Sequence, residues 1–240
     1  MKKNINTINE NKILVVVPAR GGSKGIKLKN LRKINGVSLI EMVGDVVRKL
    51  DYVDKAIVST DHSEIAELAI KSGLESPFVR PKRLSGDFIS DVEVLTHSLK
   101  KIEKIDKIKY DLIVMLQPTS PTRQPHHVTE SIQKIIEGDF DSVITISKTN
   151  SKYHPLKQFL IDEDKIKYFN KEGKNIIARQ QLNDIYHRNG LVYVITRDCL
   201  VKQKAVIGSN CGYVIIDEPV ANIDSLEDLE MAQNLISSHI

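Results

Sequence analysis

Ile13-Leu14-Val15-Val16-Val17-Pro18-Ala19-Arg20-Gly21-Gly22-Ser23-Lys24-Gly25 sets the reading of this chain. Its first five residues form an apolar, mostly β-branched run, the pattern of a buried strand. The run empties into a loop with three glycines, an Arg and a Lys. Glycine lets backbone N–H groups turn toward an anion and approach it closely. Arg20, Lys24 and Lys29 bring positive charge to the same place, a combination that suits the triphosphate of a nucleotide. The plain alternative is a basic turn at a strand end.

Spacing excludes the better-known phosphate loops. A Walker loop requires Gly-Lys-Ser/Thr at its end, and here Gly25 is followed by Ile26. The dinucleotide fingerprint fails because Arg20 stands where its first glycine belongs, which disfavours a dehydrogenase. What remains is a long basic loop after the first strand, ending at Lys29-Asn30.

The 240 residues suffice for one large α/β domain or two small ones, and 41% hydrophobic residues suffice for a core. The net charge of +4 is mild and spread along the chain. With no run of like charges, few aromatics and no Trp, composition makes no case for nucleic acid. Cys199 and Cys211 lack CxxC spacing, so two free thiols in a reducing cytoplasm are expected. No apolar run reaches the length of a membrane span. Residues 1–12 are polar and lack the apolar core of a secretory signal, so they read as a flexible, frayed tail.

Strand-like and helix-like segments alternate from Ile13 onward. Strands are expected at Ile13–Pro18, Ala56–Thr60, Leu112–Leu116 and Ser142–Ile146. Helices are expected at Ser38–Leu50, Asp61–Ser72, Ser90–Lys104 and Pro125–Glu137, the first with a Ser38/Glu41 capping box. Asp61 reads as a cap of the second helix. Such alternation implies right-handed crossovers and a mainly parallel sheet. The pattern breaks between about residues 148 and 181, where Gln158–Ile161 and Ile166–Phe169 flank a polar turn and read as a hairpin. It resumes with strands at Leu191–Thr196 and Tyr213–Asp217 and a helix at Ser225–Ser237. The expectation is one domain over 13–240, with an inserted arm at 148–181 that covers the site or mediates dimerisation.

Ligands in open parallel sheets sit at the C-terminal strand ends, and several reactive segments fall there. Gln117-Pro118-Thr119-Ser120-Pro121-Thr122-Arg123 follows one strand; a Pro-rich connection explains its prolines and hydroxyls but not Gln117 or Arg123. Arg80-Pro81 and Ser85-Gly86-Asp87 precede the third helix, where an anion would be favoured; a solvent-facing basic loop explains them equally well. His154-Pro155-Leu156-Lys157, Arg179-Gln180 and His187-Arg188-Asn189-Gly190 add cations beside the insertion, suited to a carboxylate. Singly, His154 and His187 read as surface or packing residues. Asn222-Ile223-Asp224 precedes the last helix; a carboxylate there could hold Mg²⁺ or simply cap that helix, and local evidence favours the cap. No His/Cys set has zinc spacing and no nucleophile elbow is present.

In order, Ala19-Arg20-Gly21-Gly22-Ser23-Lys24-Gly25, Lys29-Asn30, Ser59-Thr60-Asp61, Arg80-Pro81, Leu116 to Pro121, His154 to Lys157, Arg179-Gln180 and Asn189-Gly190 resemble the acylneuraminate cytidylyltransferases over nearly the whole chain. The resemblance implies a single Rossmann-like α/β domain, its mainly parallel sheet flanked by helices. It implies a homodimer whose inserted arm helps complete the partner's site, and transfer of CMP from CTP to a nonulosonic acid with Mg²⁺. It implies catalytic Arg20, Lys24 and Asp224. The nucleotide would meet Ala19, Arg20, Gly21, Gly22, Ser23, Lys24, Lys29, Asn30, Arg80, Ser85 and Asp87. The sugar acid would meet Gln117, Thr119, Ser120, Lys157, Arg179, Gln180, His187, Arg188 and Asn189. Asp224 and Asn222 would hold the metal.

Three departures qualify that carry-over. Asn222 stands where a second Asp is common, and a neutral amide is a weaker metal ligand. His187-Arg188 replaces the usual Arg-Pro, and Asp91 stands where Ser is common, both on the expected sugar side. The rival readings are a synthetase for the eight-carbon acid Kdo, whose first loop usually differs, and a non-catalytic nucleotide-binding module.

Overall fold

A computed structural model describes residues 5–238. Ten strands and five α-helices follow in order: β1 (Ile13–Pro18), β2 (Lys33–Ile34), β3 (Val37–Ser38), α1 (Leu39–Val47), β4 (Lys55–Ser59), α2 (Ser63–Lys71), α3 (Asp91–Asp106), β5 (Leu112–Met115), α4 (Pro125–Gly138), β6 (Ser142–Lys148), β7 (Phe159–Asp162), β8 (Lys165–Tyr168), β9 (Tyr186–Thr196), β10 (Cys211–Ile215) and α5 (Leu226–Ser237). The main sheet has the order β10-β6-β9-β5-β1-β4. Strands β4, β1 and β5 pair in parallel, as do β6 and β10. Only β9 runs against both neighbours, β5 and β6. The sheet is therefore mainly parallel, as expected.

Strand β1 explains the layering. Ile13, Val15 and Val17 enter one apolar cluster with the inner faces of α1, α2 and α4, whereas Leu14 and Val16 enter a second with Leu95, Leu99 and Ile102 of α3. Successive side chains of a strand point to opposite faces. With helices on both faces every position is buried, so the strand reads as an unbroken apolar run. Ser38 and Glu41 complete the expected capping box of α1, and Ser90/Glu93 and Ser225/Asp228 do the same for α3 and α5. The turn between β2 and β3 is Asn35-Gly36, both residues at positive φ (50° and 85°), the geometry a two-residue hairpin needs.

Three expectations change. The strand expected from Leu191 starts at Tyr186 and runs antiparallel, and β6 extends to Lys148; the excursion from the sheet therefore covers 149–185, with β7 and β8 as its hairpin. Asp61 does not cap α2, whose preceding residue is His62; Asp61 Oδ1 instead accepts a bond from Gly21 N at 2.9 Å. Finally, within the expected tail, residues 1–4 lie outside the described residues. Ile5–Glu10 form a 3₁₀ turn and Ile8 is 0% exposed in the core cluster of α4 and β1. One apolar side chain with a place in the core outweighs the polar composition around it.

Truncating that side chain tests the anchoring. Ile8→Ala should lower unfolding free energy by about 2–4 kcal/mol, as for other buried Ile truncations. Urea denaturation would read this, and an unchanged midpoint would restore the frayed-tail reading.

Candidate functional site

At the C-terminal end of β1 the chain is pinned on three sides before it opens into the glycine loop. Ala19 N donates to Ser59 O at 3.0 Å, Asn30 Nδ2 donates to Arg20 O at 3.0 Å, and Gly21 N is held by Asp61. Lys29 Nζ reaches across to Ile223 O at 2.7 Å and Asp224 Oδ1 at 2.9 Å. The loop passes so close to that segment that a Cβ on Gly25 would lie 2.4 Å from the Asp224 carbonyl oxygen. Ile223 N donates in turn to Thr119 O at 2.9 Å, joining the loops after β1, β5 and β10.

These loops enclose a cleft of about 470 Å³, within the range of small-molecule sites. From the expected nucleotide set it gathers Arg20, Ser23, Lys24, Lys29, Asn30, Arg80 and Asp87. From the expected sugar and metal sets it gathers Gln117, Thr119 and Asp224. Gly22 faces open space at the loop tip. Ala19 is fully buried and Gly21 spends its N–H on Asp61, so both shape the loop from behind rather than line the cleft. Ser85 also stands outside the lining; its carbonyl accepts from Arg20 Nη1 at 3.4 Å.

The electrostatics centre on two carboxylates among cations. Asp87 bridges Arg20 Nη1 at 2.9 Å and Lys24 Nζ at 2.8 Å. Its hydrogen bond with Lys24, helped by Arg20, holds its carboxyl below the usual range. Asp224 is largely exposed apart from its pairing with Lys29. Arg80 is buried and fixed to Ser59, with Nε donating to Oγ at 3.1 Å and Nη2 to the carbonyl oxygen. Burial brings its guanidinium down to about 10. Asp91, on the cleft wall, has its carboxyl pushed up by desolvation against the opposing pull of Arg80 and Arg188.

Three residues expected at the sugar or metal hold loops together instead. Ser120 is fully buried, and its hydroxyl lies 3.0 Å from Gly190 O and 2.7 Å from Asn222 Oδ1. Asn222 Nδ2 donates to Asn189 O at 2.8 Å, so its amide is engaged at both ends. Asn189 is buried, accepts from Thr145 Oγ1 at 2.6 Å and donates to Ser147 Oγ at 3.0 Å. Gly190 sits at φ +74° among them, where a Cβ would crowd Asn222 Oδ1 at 3.0 Å. Arg123 is buried beneath, donating to the Gln117 and Leu191 carbonyls, and burial lowers it to about 9. It sets the loop that presents Gln117. Polar residue type alone did not distinguish these inward roles from outward ones. The anchoring of the glycine loop by Asp61 and of Arg80 by Ser59 is likewise visible only in three dimensions.

Lys157, Arg179, Gln180 and His187 are absent from the cleft lining, whereas Arg188 lies near enough to act on Asp91 of the cleft wall. Arg179 lines a separate cavity of about 290 Å³ with Lys148 and His154. His154 Nδ1 accepts from Leu156 N at 3.1 Å, leaving its buried Nε2 without a partner. His187 Nδ1 lies 2.9 Å from Thr149 Oγ1, and Gln180 and Arg188 are exposed. Lys157 lines neither cavity. Elsewhere, His126, His127 and Glu218 cluster with ligand-like spacing. Gln124 N donates to His127 Nδ1 at 3.1 Å, however, so the neutral ring carries its proton on Nε2, the nitrogen facing Glu218. That nitrogen is a donor, not a free metal ligand.

In the cleft, Asp87 is the carboxylate that pairs with both Arg20 and Lys24. Asp87→Asn should raise pyrophosphate affinity about fivefold by removing two exposed pairs that compete with it. Titration calorimetry would detect this, and unchanged affinity would mean that the pairing does not compete.

Comparison with known proteins places this geometry. A family model described as Cytidylyltransferase matches residues 14–230. A CMP-N,N'-diacetyllegionaminic acid synthase of Campylobacter jejuni is 32% identical, covering 94% of this chain and 95% of the relative. A pseudaminic acid cytidylyltransferase of the same species is 29% identical, covering 93% and 96%. Among solved structures, a CMP:2-keto-3-deoxy-manno-octonic acid synthetase complexed with CTP superposes with a TM-score of 0.68 at 18% identity, over 95% of this chain and all of that one.

Proposed function

This chain belongs to the cytidylyltransferase family, and from that premise we propose that it joins CTP to a nonulosonic acid, giving the CMP-sugar and pyrophosphate. The observation that carries the reading is the meeting of Arg20, Lys24 and Lys29 in one cleft that Gln117 and Thr119 also line. The cations suit a triphosphate and the uncharged polar groups a hydroxylated sugar. The anomeric hydroxyl attacks the α-phosphorus in line, the bond to the bridging oxygen of the β-phosphate breaks, and pyrophosphate leaves with that electron pair. Arg20 and Lys24 offset the charge that grows on the leaving group, exchanging the Asp87 carboxylate for phosphate oxygens. The hydroxyl proton passes to solvent; no side chain is assigned as its base.

Asp224, a largely exposed carboxylate at the cleft, fits a hard cation as an oxygen donor. Asn222 does not fit, since both ends of its amide are engaged. Mg²⁺ bound at Asp224 would supply charge neutralisation on the phosphates.

We also infer a homodimer. The arm exposes Phe159, Leu160, Ile161, Ile166, Tyr168 and Phe169, with Ile161 84% exposed. Such an apolar surface fits an interface. A two-fold axis would use the same patch on both copies, letting Lys157 and Arg179 reach the partner's cleft and meet the sugar carboxylate. No helix among the described residues is long and apolar enough to cross a membrane; we assign the reaction to the cytoplasm, where CTP is made.

The test is pyrophosphate release with CTP, Mg²⁺ and a panel of N-acetylneuraminic, legionaminic, pseudaminic and Kdo acids. One nine-carbon acid should turn over, and chelation should stop it. Arg20→Ala and Lys24→Ala should each lower kcat/KM by about 10²–10³, the scale for a lost transition-state donor. Near-normal turnover in either would remove that residue from the mechanism, and no release with any acid would overturn the activity. Ile161→Asp should give a monomer by light scattering with weakened sugar use; an unaltered mass would place the interface elsewhere.

A further inference from the structure

A second groove lies on the outer side of α3. It encloses about 560 Å³ between α3, the turn that carries Leu84, and a π-helical turn at Cys199–Gln203. Its floor is apolar: Leu84, Val92, Leu200 and Val201. Its rim carries Arg83, Lys100, Lys101, Lys104 and Lys204, against a single carboxylate, Glu93. Glu93 is already engaged in the capping box with Ser90. Among the described residues none of the five cations forms an ion pair, whereas other lysines nearby, such as Lys55 and Lys202, do.

This arrangement has a cost and no structural return. Lys100 and Lys104 stand four residues apart on one helix face, where like charges destabilise. Cys199–Gln203 adopts a π-helix, a rare conformation that frequently occurs at functional sites. Lys204, which ends it, is held at φ 54°, unfavourable for a residue with a side chain. His97 lines the same groove, and its Nδ1 is buried without a partner. The charge pattern disfavours a cationic occupant and favours an anionic one. It also excludes the same face of a second copy, which would bring five cations against five.

Leu84 lines both this groove and the cleft. It is 4% exposed and stands three residues before Asp87, which pairs with Arg20 and Lys24. An occupant drawing in Arg83 and pressing on Leu84 therefore acts on the segment that supplies Asp87. We propose that this groove is a regulatory site for a small organic anion with an apolar body and at least two negative charges, coupled to the cleft through Leu84. The inference does not depend on the reaction assigned to the cleft.

The probe is the dianionic dye 4,4'-dianilino-1,1'-binaphthyl-5,5'-disulfonate, titrated by fluorescence into the full chain. Lys100→Glu combined with Lys104→Glu should weaken binding at least tenfold, while Ile161→Ser in the arm leaves it unchanged. Lys204→Glu, on the opposite wall, gives an independent reading should the double variant fail to fold; it should weaken binding at least threefold. Coupling is read by hydrogen exchange of residues 82–90, which the dye should change at least threefold in the wild type and not in the charge-reversed variants. Undiminished binding in those variants, or loss of binding in Ile161→Ser, would overturn the site. Binding without altered exchange would overturn the regulatory role. Tighter displacement of the dye by an alternating Glu-Leu peptide than by a naphthyl bisphosphate would make the groove a protein-docking surface and overturn the small-ligand assignment.

Discussion

Repulsion among Arg20, Lys24 and Lys29 is the constraint around which the cleft is arranged. Three cations on one short loop oppose its closure, and the chain answers with Asp87 for the first two and Asp224 for the third. Neither carboxylate is buried among them, so each can leave when a stronger polyanion arrives. Buried acids would carry a desolvation cost and would not exchange readily for a phosphate. The backbone bears the rest: Gly21 on Asp61, Arg20 on Asn30, and Gly25 packed on Asp224 keep the cations converging whichever anion holds them. Ordered backbone with exchangeable counterions is how a binding site can be ready in advance of its ligand.

The single reversed strand extends this arrangement to the second half of the site. Because β9 runs against β5 and β6, its N-terminal end lies with the C-terminal ends of the parallel strands. Asn189 and Gly190 thereby come beside Ser120 and Asn222. The same strand continues outward as Tyr186–Arg188, paired with Ile146–Lys148 past a register shift. It is thus both a core strand and the root of the arm, so arm and cleft share one rigid support.

Much of this was legible beforehand, and the limits have physical causes. Strand positions, helix faces and the Ser38 cap follow from periodicity and local hydrogen bonding, which neighbours in sequence determine. The direction of β9 does not, because an apolar run reads the same either way. Ile8 gives no such signal, because Ile5 and Ile8 alone in a polar stretch are too few to establish a period. Ser120, Asn189 and Asn222 carry side chains as fit for a sugar as for each other, and only the convergence of three loops decides between those uses. Lys157, Arg179 and Gln180 lie outside the cleft lining, because residue type alone does not place one segment relative to another.

The pinned amide of Asn189 also bears on chemical ageing. Asn-Gly is the sequence most prone to spontaneous deamidation, which needs the glycine nitrogen to swing onto the asparagine side-chain carbonyl. At Asn189-Gly190 that carbonyl is held by Thr145 and Leu191, the amide nitrogen by Ser147, and the backbone is fixed in a buried strand. Asn35-Gly36 has the same two residues in an exposed hairpin turn, with a single side-chain bond to Ser237. One dipeptide is thereby shielded from a reaction to which the other lies open, and the shielded copy is the one whose conversion to a carboxylate would place an unpaired charge beneath the cleft.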